Sequence, residues 1–402
     1  MSHLKKTVDM KKICFLIVSV MLLASCKNKE NGPEVVNPSS VDYAVAADNC
    51  TQSLLDNFWN TTRNYFNSAS DATSWNNNYW PQAHALDVMV DAYLRSGNQS
   101  YLNYFNNWLT GVRSANGNRW TNSYYDDMEW IGLATLRAYQ ATKNEDFKKA
   151  CMDVWNGDAT GKNGSLGIKS GWNAQGGGGI AWEYSQQWSK NACSNGPAAL
   201  LAAHLYQEFG NSDDLDWAKK IYEWQKDHLF NLVDGSVADN LDARSMSVNW
   251  SMIFTYNQGT FMGAALELYK ITGERSYLND AGKAADYTIS TLINSADQLL
   301  KSEGSGDGAL FKGIFVRNFA QLIMLDDLNA GNRKRYVNFL KHNGELLWQG
   351  GTGKNYGYMI GPYWKTPPGT NSQGKTQTGL NEQLSGCMLL EALAFLQKEK
   401  MF

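Results

Sequence analysis

The chain has 402 residues, a formal net charge of -3 and only 19% charged residues. It therefore lacks the basic surface that nucleic acids or anionic membranes attract, which argues against both as partners. Aromatic residues make up 12% of the chain and include 15 tryptophans, set among many Asn, Gly and Ser residues. Flat rings pack on the apolar C–H faces of sugars while amides meet the hydroxyls, so this composition favours carbohydrate binding.

The first element along the chain is a targeting segment. Lys11 and Lys12 precede the apolar run ICFLIVSVMLLA, which at roughly a dozen residues is too short to span a bilayer as a helix. The sequence LASC at residues 23–26 resembles a bacterial lipobox, in which Cys26 becomes the lipidated first residue of the mature protein. The alternative is an ordinary secretory signal that carries a cysteine by chance.

These features divide the chain into three parts. We expect a lipoprotein signal peptide over residues 1–25, a polar tether over 26–40 and a single catalytic domain over 41–402. The protein is then an exported bacterial lipoprotein of the outer membrane or cell surface, which contacts the membrane only through its lipid anchor.

Twelve helical segments follow the tether, in a pattern of helical hairpins whose turns contain Gly or Asn. Segments rich in small residues, such as QAHALDVMVDAY, GPAALLAAHLY and GTFMGAALELY, alternate with segments that carry charges. Six hairpins with small-residue inner helices predict an all-α fold, the (α/α)6 barrel, in which one end of the inner ring forms a cleft. The predicted helices cover residues 42–60, 82–96, 99–113, 127–142, 145–156, 195–210, 213–230, 257–272, 275–293, 312–328, 332–347 and 379–398.

Three long segments lack helical periodicity. Residues 157–190, 231–256 and 348–378 are rich in Gly, Trp, Asn and Asp. Loops of this length in a compact domain are usually functional or disordered, and their tryptophans argue against disorder. We therefore expect them to contribute to the cleft.

Several common catalytic motifs are missing from the sequence. The stretch GGGGIAWEYSQQW at 176–188 lacks the Lys-Ser/Thr of a phosphate-binding loop, and no G-x-S-x-G motif is present. The histidines of the predicted helices suit core or solvated positions better than catalytic ones. They are His84, His204, His228 and His342.

The cysteines give no metal-binding pattern. Cys50, Cys151, Cys193 and Cys387 are widely separated, with no CxxC motif and no Cys/His cluster. We expect neither a metal nor another cofactor. Spacing cannot choose disulfide partners in an exported protein, so buried free thiols are the default expectation.

Two adjacent carboxylates, Asp126 and Asp127, stand at the predicted start of a helix in NSYYDDMEWIGLATLRAYQ. Ser123 and Asp126 have the spacing of a capping box, so one interpretation is that the aspartates only begin the helix. The other is catalysis, because a retaining glycoside hydrolase needs two carboxyl groups about 5 to 5.5 Å apart, which neighbouring residues permit. Two close carboxylates also cannot both ionise easily, which would hold one as an acid.

Four motifs resemble glycoside hydrolase family 76, the bacterial and fungal endo-α-1,6-mannanases. They are YYDDMEW at 124–130, GGGGIAWE at 176–183, TYNQGTFMGAALELY at 255–269 and FKGIFVRNFAQ at 311–321. They occur in the family's order over nearly the whole mature chain. The resemblance implies an (α/α)6 barrel that acts on α-1,6-linked mannan or manno-oligosaccharides.

The resemblance also implies roles for individual residues. Asp126 would be the nucleophile and Asp127 the acid/base, while Met128 and Glu129 depart from the small or neutral residues expected there and could alter a subsite. The candidate substrate-binding residues are Tyr125, Trp130, Gly178, Gly179, Trp182, Asp239, Tyr256, Asn257 and Gln258.

The function that follows is a retaining endo-acting α-1,6-mannanase. Two alternatives stay open at this point. One is a surface lipoprotein that binds glycans on the same scaffold without catalysis, and the other is a cell-wall mannan transglycosylase that shares the covalent intermediate.

Overall fold

The computed structural model describes residues 41–157 and 166–402. The predicted signal peptide, the tether and Cys26 lie outside the described residues. Twelve α-helices dominate the described part of the chain. They are α1 Tyr43–Phe58, α2 Trp80–Ser96, α3 Tyr101–Ala115, α4 Tyr125–Thr142, α5 Glu145–Asn156, α6 Ala192–Phe209, α7 Ser212–Leu229, α8 Thr255–Thr272, α9 Arg275–Thr291, α10 Asp307–Met324, α11 Ala330–Leu346 and α12 Leu380–Lys398.

The even-numbered helices form a closed inner ring. Each packs against the next, from α2 through α4, α6, α8 and α10 to α12, and α12 returns to pack against α2. The odd-numbered helices lie outside this ring, with α5, α7 and α9 each packed against the inner helix that precedes it. This arrangement is the predicted (α/α)6 barrel.

Small residues allow the inner helices to approach closely. A Cβ atom at Gly259 of α8 would lie 2.6 Å from the Cα of Phe315 on α10, and one at Gly313 of α10 would lie 2.9 Å from the Cα of Ser385 on α12. These contacts explain why the segments predicted as inner helices are rich in Gly and Ala, because larger side chains would push the ring apart.

The hairpin turns follow the prediction. Gly97, Gly210 and Gly273 end α2, α6 and α8 in the left-handed conformation, and Lys143 does so after α4. Each of these glycines donates its amide to a carbonyl four residues earlier, at 2.8 Å. The glycines satisfy the helix end at no steric cost, whereas Lys143 adopts a conformation that non-glycine residues rarely take.

Several helix starts differ from the prediction, and two of these differences concern α4 and α10. The capping box at Ser123 is wrong, because α4 begins at Tyr125 after an extended Tyr124, and the Ser123 hydroxyl contacts Asn122 instead. Helix α10 begins at Asp307, five residues before the predicted start at 312. Two glycines flank Asp307, and their low helix propensity hid this first turn.

Seven short strands lie in those connecting segments that the structure describes. All pairings between them are antiparallel: β1 with β2, β3 with β4, β4 with β5, and β6 with β7. The register of β3 and β4 opposes Ser189 to Asp242, which joins two of the predicted long loops beside the start of α6. The strands are β1 Trp59–Asn60, β2 Tyr65–Phe66, β3 Ser189–Asn191, β4 Asn240–Asp242, β5 Ser247–Val248, β6 Thr352–Gly353 and β7 Met359–Ile360.

Within residues 41–157 and 166–402, no helix has the length and apolar character needed to cross a bilayer.

Candidate active site

A cavity of about 440 Å³ opens where the inner helices begin. Its walls come from the first turns of α2, α4, α6, α8 and α10 and from the segments that precede them. Four aspartates and seven aromatic residues dominate the lining, so the cavity is both acidic and flat-walled. The lining residues are Asn78, Trp80, Tyr124, Asp126, Asp127, Trp130, Trp182, Asn191, Cys193, Asp239, Phe254, Tyr256, Asp307 and Phe311.

Asp126 lies in the first turn of α4 and accepts three hydrogen bonds. The donors are the backbone amide of Asp127 at 3.0 Å, the indole Nε1 of Trp182 at 3.2 Å and the thiol of Cys193 at 3.3 Å. Burial raises the pKa of Asp126 to about 6, while these hydrogen bonds act in the opposite direction by stabilising the ionised carboxylate. Because the Asp127 amide belongs to the first turn of α4, the Asp126 carboxylate also helps to stabilise the start of this helix.

Asp127 has a different environment. Its Oδ2 accepts a hydrogen bond from Asn122 Nδ2 at 3.1 Å. Burial raises the pKa of Asp127 well above its ordinary value, and the nearby carboxylates of Asp126 and Asp307 raise it further. The two neighbours are therefore unequal, with Asp126 the more readily ionised and Asp127 the more readily protonated.

The loop that carries Trp182 is tied to the start of α4. The Tyr125 amide donates to the Trp182 carbonyl at 3.0 Å, and the Trp182 amide donates to the Ser189 carbonyl at 2.8 Å. The rings of Trp182 and Tyr124 lie 5.2 Å apart. These contacts hold one indole against both the cavity and the Asp126 carboxylate.

Asp239 precedes β4 and lines another wall of the cavity. Burial raises the pKa of its carboxyl, and Asn257 Nδ2 donates to Asp239 Oδ1 at 3.4 Å. Beside it, the rings of Tyr256 and Phe311 stack at 3.8 Å with an interplanar angle of 6°. This wall brings α8 and α10 together in one aromatic surface.

Six of the residues proposed from the sequence meet at the cavity: Asp126, Asp127, Trp130, Trp182, Asp239 and Tyr256. Three others lie behind it in the protein interior. Tyr125 is 1% exposed and its hydroxyl lies 3.3 Å from Gln187 Nε2, while Asn257 and Gln258 are fully buried on α8. Among these three, Asn257 contacts the cavity indirectly, through Asp239.

The glycine run supports the Trp182 loop rather than lining the cavity. A Cβ atom at Gly178 would lie 2.4 Å from the Trp172 ring, and one at Gly179 would lie 2.7 Å from the Trp224 ring. Lys190, fully buried, donates from Nζ to the Gly179 carbonyl at 2.7 Å. The bare backbone therefore approaches two indoles, where the sequence interpretation placed a polar ligand.

Met128 and Glu129 are also fully buried and lie outside the cavity lining. They therefore form no cavity wall, so the expectation that they could alter a subsite gains no support from a direct contact. Burial, followed by the charges of Asp126 and Asp127, raises the pKa of Glu129 well above its usual range. Both of its carboxyl oxygens lack a hydrogen-bond partner within the described residues, which is consistent with a neutral side chain.

Sequence reasoning missed Trp80 and Asp307, whose side chains pair across the cavity. Trp80 Nε1 donates to Asp307 Oδ1 at 3.0 Å. Both residues lie in the first turn of an inner helix whose predicted start was too late, at 82 and 312. Correct helix starts would have placed them beside Asp126.

No group of three or more His, Cys, Asp or Glu side chains within residues 41–157 and 166–402 is arranged to hold a metal ion.

Comparison with known proteins identifies the family. The model for glycosyl hydrolase family 76 matches residues 42–402. An α-1,6-mannanase of Salegentibacter sp. HEL1_6 is 40% identical with a TM-score of 0.81, over 88% of this chain and 100% of that one. Its inactive variant, with two consecutive aspartates replaced by alanine, is in complex with α-1,6-mannotetrose and is 39% identical with a TM-score of 0.81, over 89% and 100% of the two chains.

A mannan endo-1,6-alpha-mannosidase of Saccharomyces cerevisiae is 30% identical over 169 residues, which are 39% of this chain and 36% of that protein. The match of the family model over almost the whole described domain, together with the common fold, shows that this chain is a glycoside hydrolase and belongs to glycosyl hydrolase family 76.

Proposed function

We propose that this protein is a retaining, endo-acting α-1,6-mannanase that hydrolyses the backbone of α-mannan. The observation that carries the proposal is the adjacent pair Asp126 and Asp127, whose environments favour opposite protonation states. The Salegentibacter relative supports it, since that inactive variant lacks two consecutive aspartates and binds α-1,6-mannotetrose. The relative is 39% identical to this chain over its whole length, and this similarity is the basis for proposing the same activity here.

In the first step, the Asp126 carboxylate attacks the anomeric carbon of a bound mannose. Asp127 donates its proton to the glycosidic oxygen, so the leaving sugar departs as a neutral alcohol and a glycosyl-enzyme ester remains. In the second step, the Asp127 carboxylate removes a proton from water, the water oxygen attacks the anomeric carbon, and Asp126 leaves as a carboxylate. Two inversions give overall retention, and Asp127 ends protonated, as it began.

The contacts of Asp126 suit a nucleophile. Three hydrogen bonds fix its carboxylate and favour its ionised form against the cost of burial. The same donors limit its rotation, which holds an oxygen in place for attack. Asp127 accepts from a single side-chain amide and lies near two other carboxylates, which suits a group that must hold a proton at neutral pH.

The direct test is product analysis on linear, debranched α-1,6-mannan. We expect short manno-oligosaccharides of several lengths early in the reaction, because an endo-acting enzyme cuts within the chain. A proton NMR time course should show the α anomer of the new reducing end first, followed by mutarotation. Initial release of the β anomer would reject the retaining mechanism, and release of mannose alone would reject endo action.

The Trp182 indole provides a test of the pH dependence. The nucleophile must be ionised, so kcat/KM should fall as the pH drops through the pKa of Asp126, about 6. Trp182→Phe removes one donor to this carboxylate, which raises the pKa of Asp126 and moves the acidic limb upward by roughly half to one pH unit.

The matched control is Trp217→Phe, a half-buried indole on the outer helix α7, which should leave the limb unchanged. An acidic limb that stays in place in Trp182→Phe would assign that limb to another group.

A loop over residues 249–254, beside the cleft, supports binding of a long mannan chain. Its ends are tied to the cavity, because the Asp239 amide donates to the Asn249 carbonyl at 3.3 Å and Phe254 lines the wall. Between these ends lies Trp250, which is 44% exposed. An exposed indole at the rim suits stacking on a mannose beyond the cleft.

Trp250→Ala should therefore raise KM for mannan by up to about tenfold, equivalent to about 1.4 kcal/mol, with little change for mannotriose. Because the side chain is exposed, the melting temperature should hardly move. Tyr356→Ala, an exposed aromatic residue outside the cavity lining, is the control. An equal loss on long and short substrates would remove Trp250 from a distal subsite.

We also propose that the protein is anchored at the cell surface through lipidated Cys26, on the basis of the LASC sequence at 23–26. Cys26→Ala should release the protein from the membrane fraction, since the lipid on Cys26 is the anchor in this proposal. Unchanged membrane association would contradict lipidation.

A further inference from the structure

Two buried cysteines from distant parts of the sequence are in contact. Cys50 on α1 and Cys387 on α12 are both fully buried, and their Sγ atoms lie 2.7 Å apart. This separation is shorter than the sum of two sulfur van der Waals radii. A small rotation of either side chain would reach the bonding distance of about 2.05 Å.

The surroundings hold the two sulfurs together. Gln383 donates from Nε2 to the Cys50 carbonyl at 3.1 Å, and the same nitrogen lies 3.5 Å and 3.7 Å from the sulfurs of Cys50 and Cys387. One turn away, Thr51 donates to Glu391 at 2.9 Å, which pins α1 to α12 a second time. The approach of the thiols therefore belongs to a fixed helix–helix contact.

Among the described residues, the other two cysteines, Cys151 and Cys193, have no such neighbour. Cys193 donates its thiol to Asp126 in the candidate active site, and Cys151 lies beside Thr135 and Asp214. Both are buried, as are Cys50 and Cys387. The described part of the chain thus contains one matched thiol pair and two internal controls of similar burial.

We propose that Cys50 and Cys387 form a disulfide when the chain folds in an oxidising compartment. The bond would close a loop of 337 residues and join the first helix of the domain to the last. It lies where the ring closes, because α12 packs against both α1 and α2. The inference depends on exposure to an oxidant during folding, and it is independent of the mannanase assignment.

The chemistry is thiol–disulfide exchange with a small-molecule or protein disulfide as the oxidant. The thiolate of one cysteine attacks the oxidant and forms a mixed disulfide, releasing one thiolate. The second cysteine, deprotonated, attacks the Sγ of the first cysteine in the mixed disulfide, and the oxidant's remaining sulfur leaves as a thiolate. Two protein thiols are oxidised and one disulfide is reduced to two thiols. Because both sulfurs are buried in the fold, the exchange must precede the docking of α1.

The test uses the full chain, unfolded and refolded with reduced and oxidised glutathione, then denatured and alkylated without reductant. We expect the peptides of Cys50 and Cys387 to be linked, with a mass lower by two hydrogen atoms, while Cys151 and Cys193 are alkylated. Reduction should free both linked peptides. Alkylation of Cys50 and Cys387 to the same extent as Cys151 and Cys193 would overturn the proposal.

A second measurement separates the bond from the packing of the cysteine side chains. The melting temperature of the glutathione-treated protein should exceed that of the same protein kept reduced by several degrees, because the cross-link restricts the unfolded chain. This redox difference should persist in Cys151→Ala and vanish in Cys50→Ala and Cys387→Ala. Each comparison uses one variant in two redox states. The loss of stability from a cavity left by alanine is therefore the same in both states and does not affect the difference in melting temperature. A redox difference that survives in Cys50→Ala would also reject the disulfide.

Discussion

Asp126→Asn should abolish turnover on every substrate, including aryl mannosides whose leaving groups need no acid. The amide has nearly the same shape but cannot form the glycosyl-enzyme ester, so the first step of double displacement is lost. By analogy with losses seen when other nucleophiles are removed, we expect kcat to fall by at least about 10⁴-fold. The measurement is initial-rate kinetics on linear α-1,6-mannan and on an aryl α-mannobioside.

Loss of folding would not explain this result. Burial raises the pKa of Asp126 from 3.8 to about 6, so the folded protein favours the protonated form more than the unfolded chain does. The ionised carboxylate therefore costs stability, and this cost grows as the pH rises from about 4 through about 6. At neutral pH, Asp126→Asn should melt at or above the wild-type temperature, and below pH 4 the difference should disappear.

The matched control is Asp213→Asn. Asp213 is also an aspartate in the first turn of a helix, but it lies on the outer helix α7, is 61% exposed and pairs with Lys169. If Asp126 served only to begin a helix, both variants would lose modest stability and keep their activity. Measurable turnover by Asp126→Asn on either substrate would return Asp126 to that structural role.

The fold could be predicted from the sequence because its determinants are local. Gly97, Gly210 and Gly273 end helices at hairpin turns, and small residues mark the inner ring wherever backbones approach. Twelve helices in six hairpins then leave few ways to bury the inner faces. The pairing of the short strands β3 and β4 was missed because it connects segments about 50 residues apart.

The cavity could be predicted only in part, since its walls depend on where each inner helix begins. Asp126 and Asp127 belong to a recognisable sequence motif, whereas Trp80 and Asp307 do not. Their place in the cavity follows from the starts of α2 and α10, which nearby Pro and Gly residues make hard to predict. Gly178 and Gly179 illustrate the opposite error. A glycine permits close approach, but the sequence does not say whether a ligand or an indole approaches, and here it is Trp172 and Trp224.

Asp127→Ala should lose activity in a manner that depends on the leaving group. On mannan, loss of the general acid should reduce kcat/KM by about 10²–10⁴-fold. An aryl mannobioside with a good leaving group needs no proton, so its first step should be nearly as fast as in the wild type. The second step then lacks its base, and a burst of released phenol should precede slow turnover. Stopped-flow absorbance measures both phases.

Azide distinguishes the two aspartates by stereochemistry. In Asp127→Ala, azide needs no base and attacks the intermediate from the face opposite Asp126, so it should accelerate the slow phase and yield the α-mannosyl azide. In Asp126→Ala, azide can instead replace the missing nucleophile and would yield the β-azide. Burial of Asp127, together with the nearby carboxylates of Asp126 and Asp307, raises its pKa and favours protonated Asp127, which is the state that the first step consumes. A β-azide from Asp127→Ala would exchange the two roles, because the anion would then have entered from the nucleophile's side.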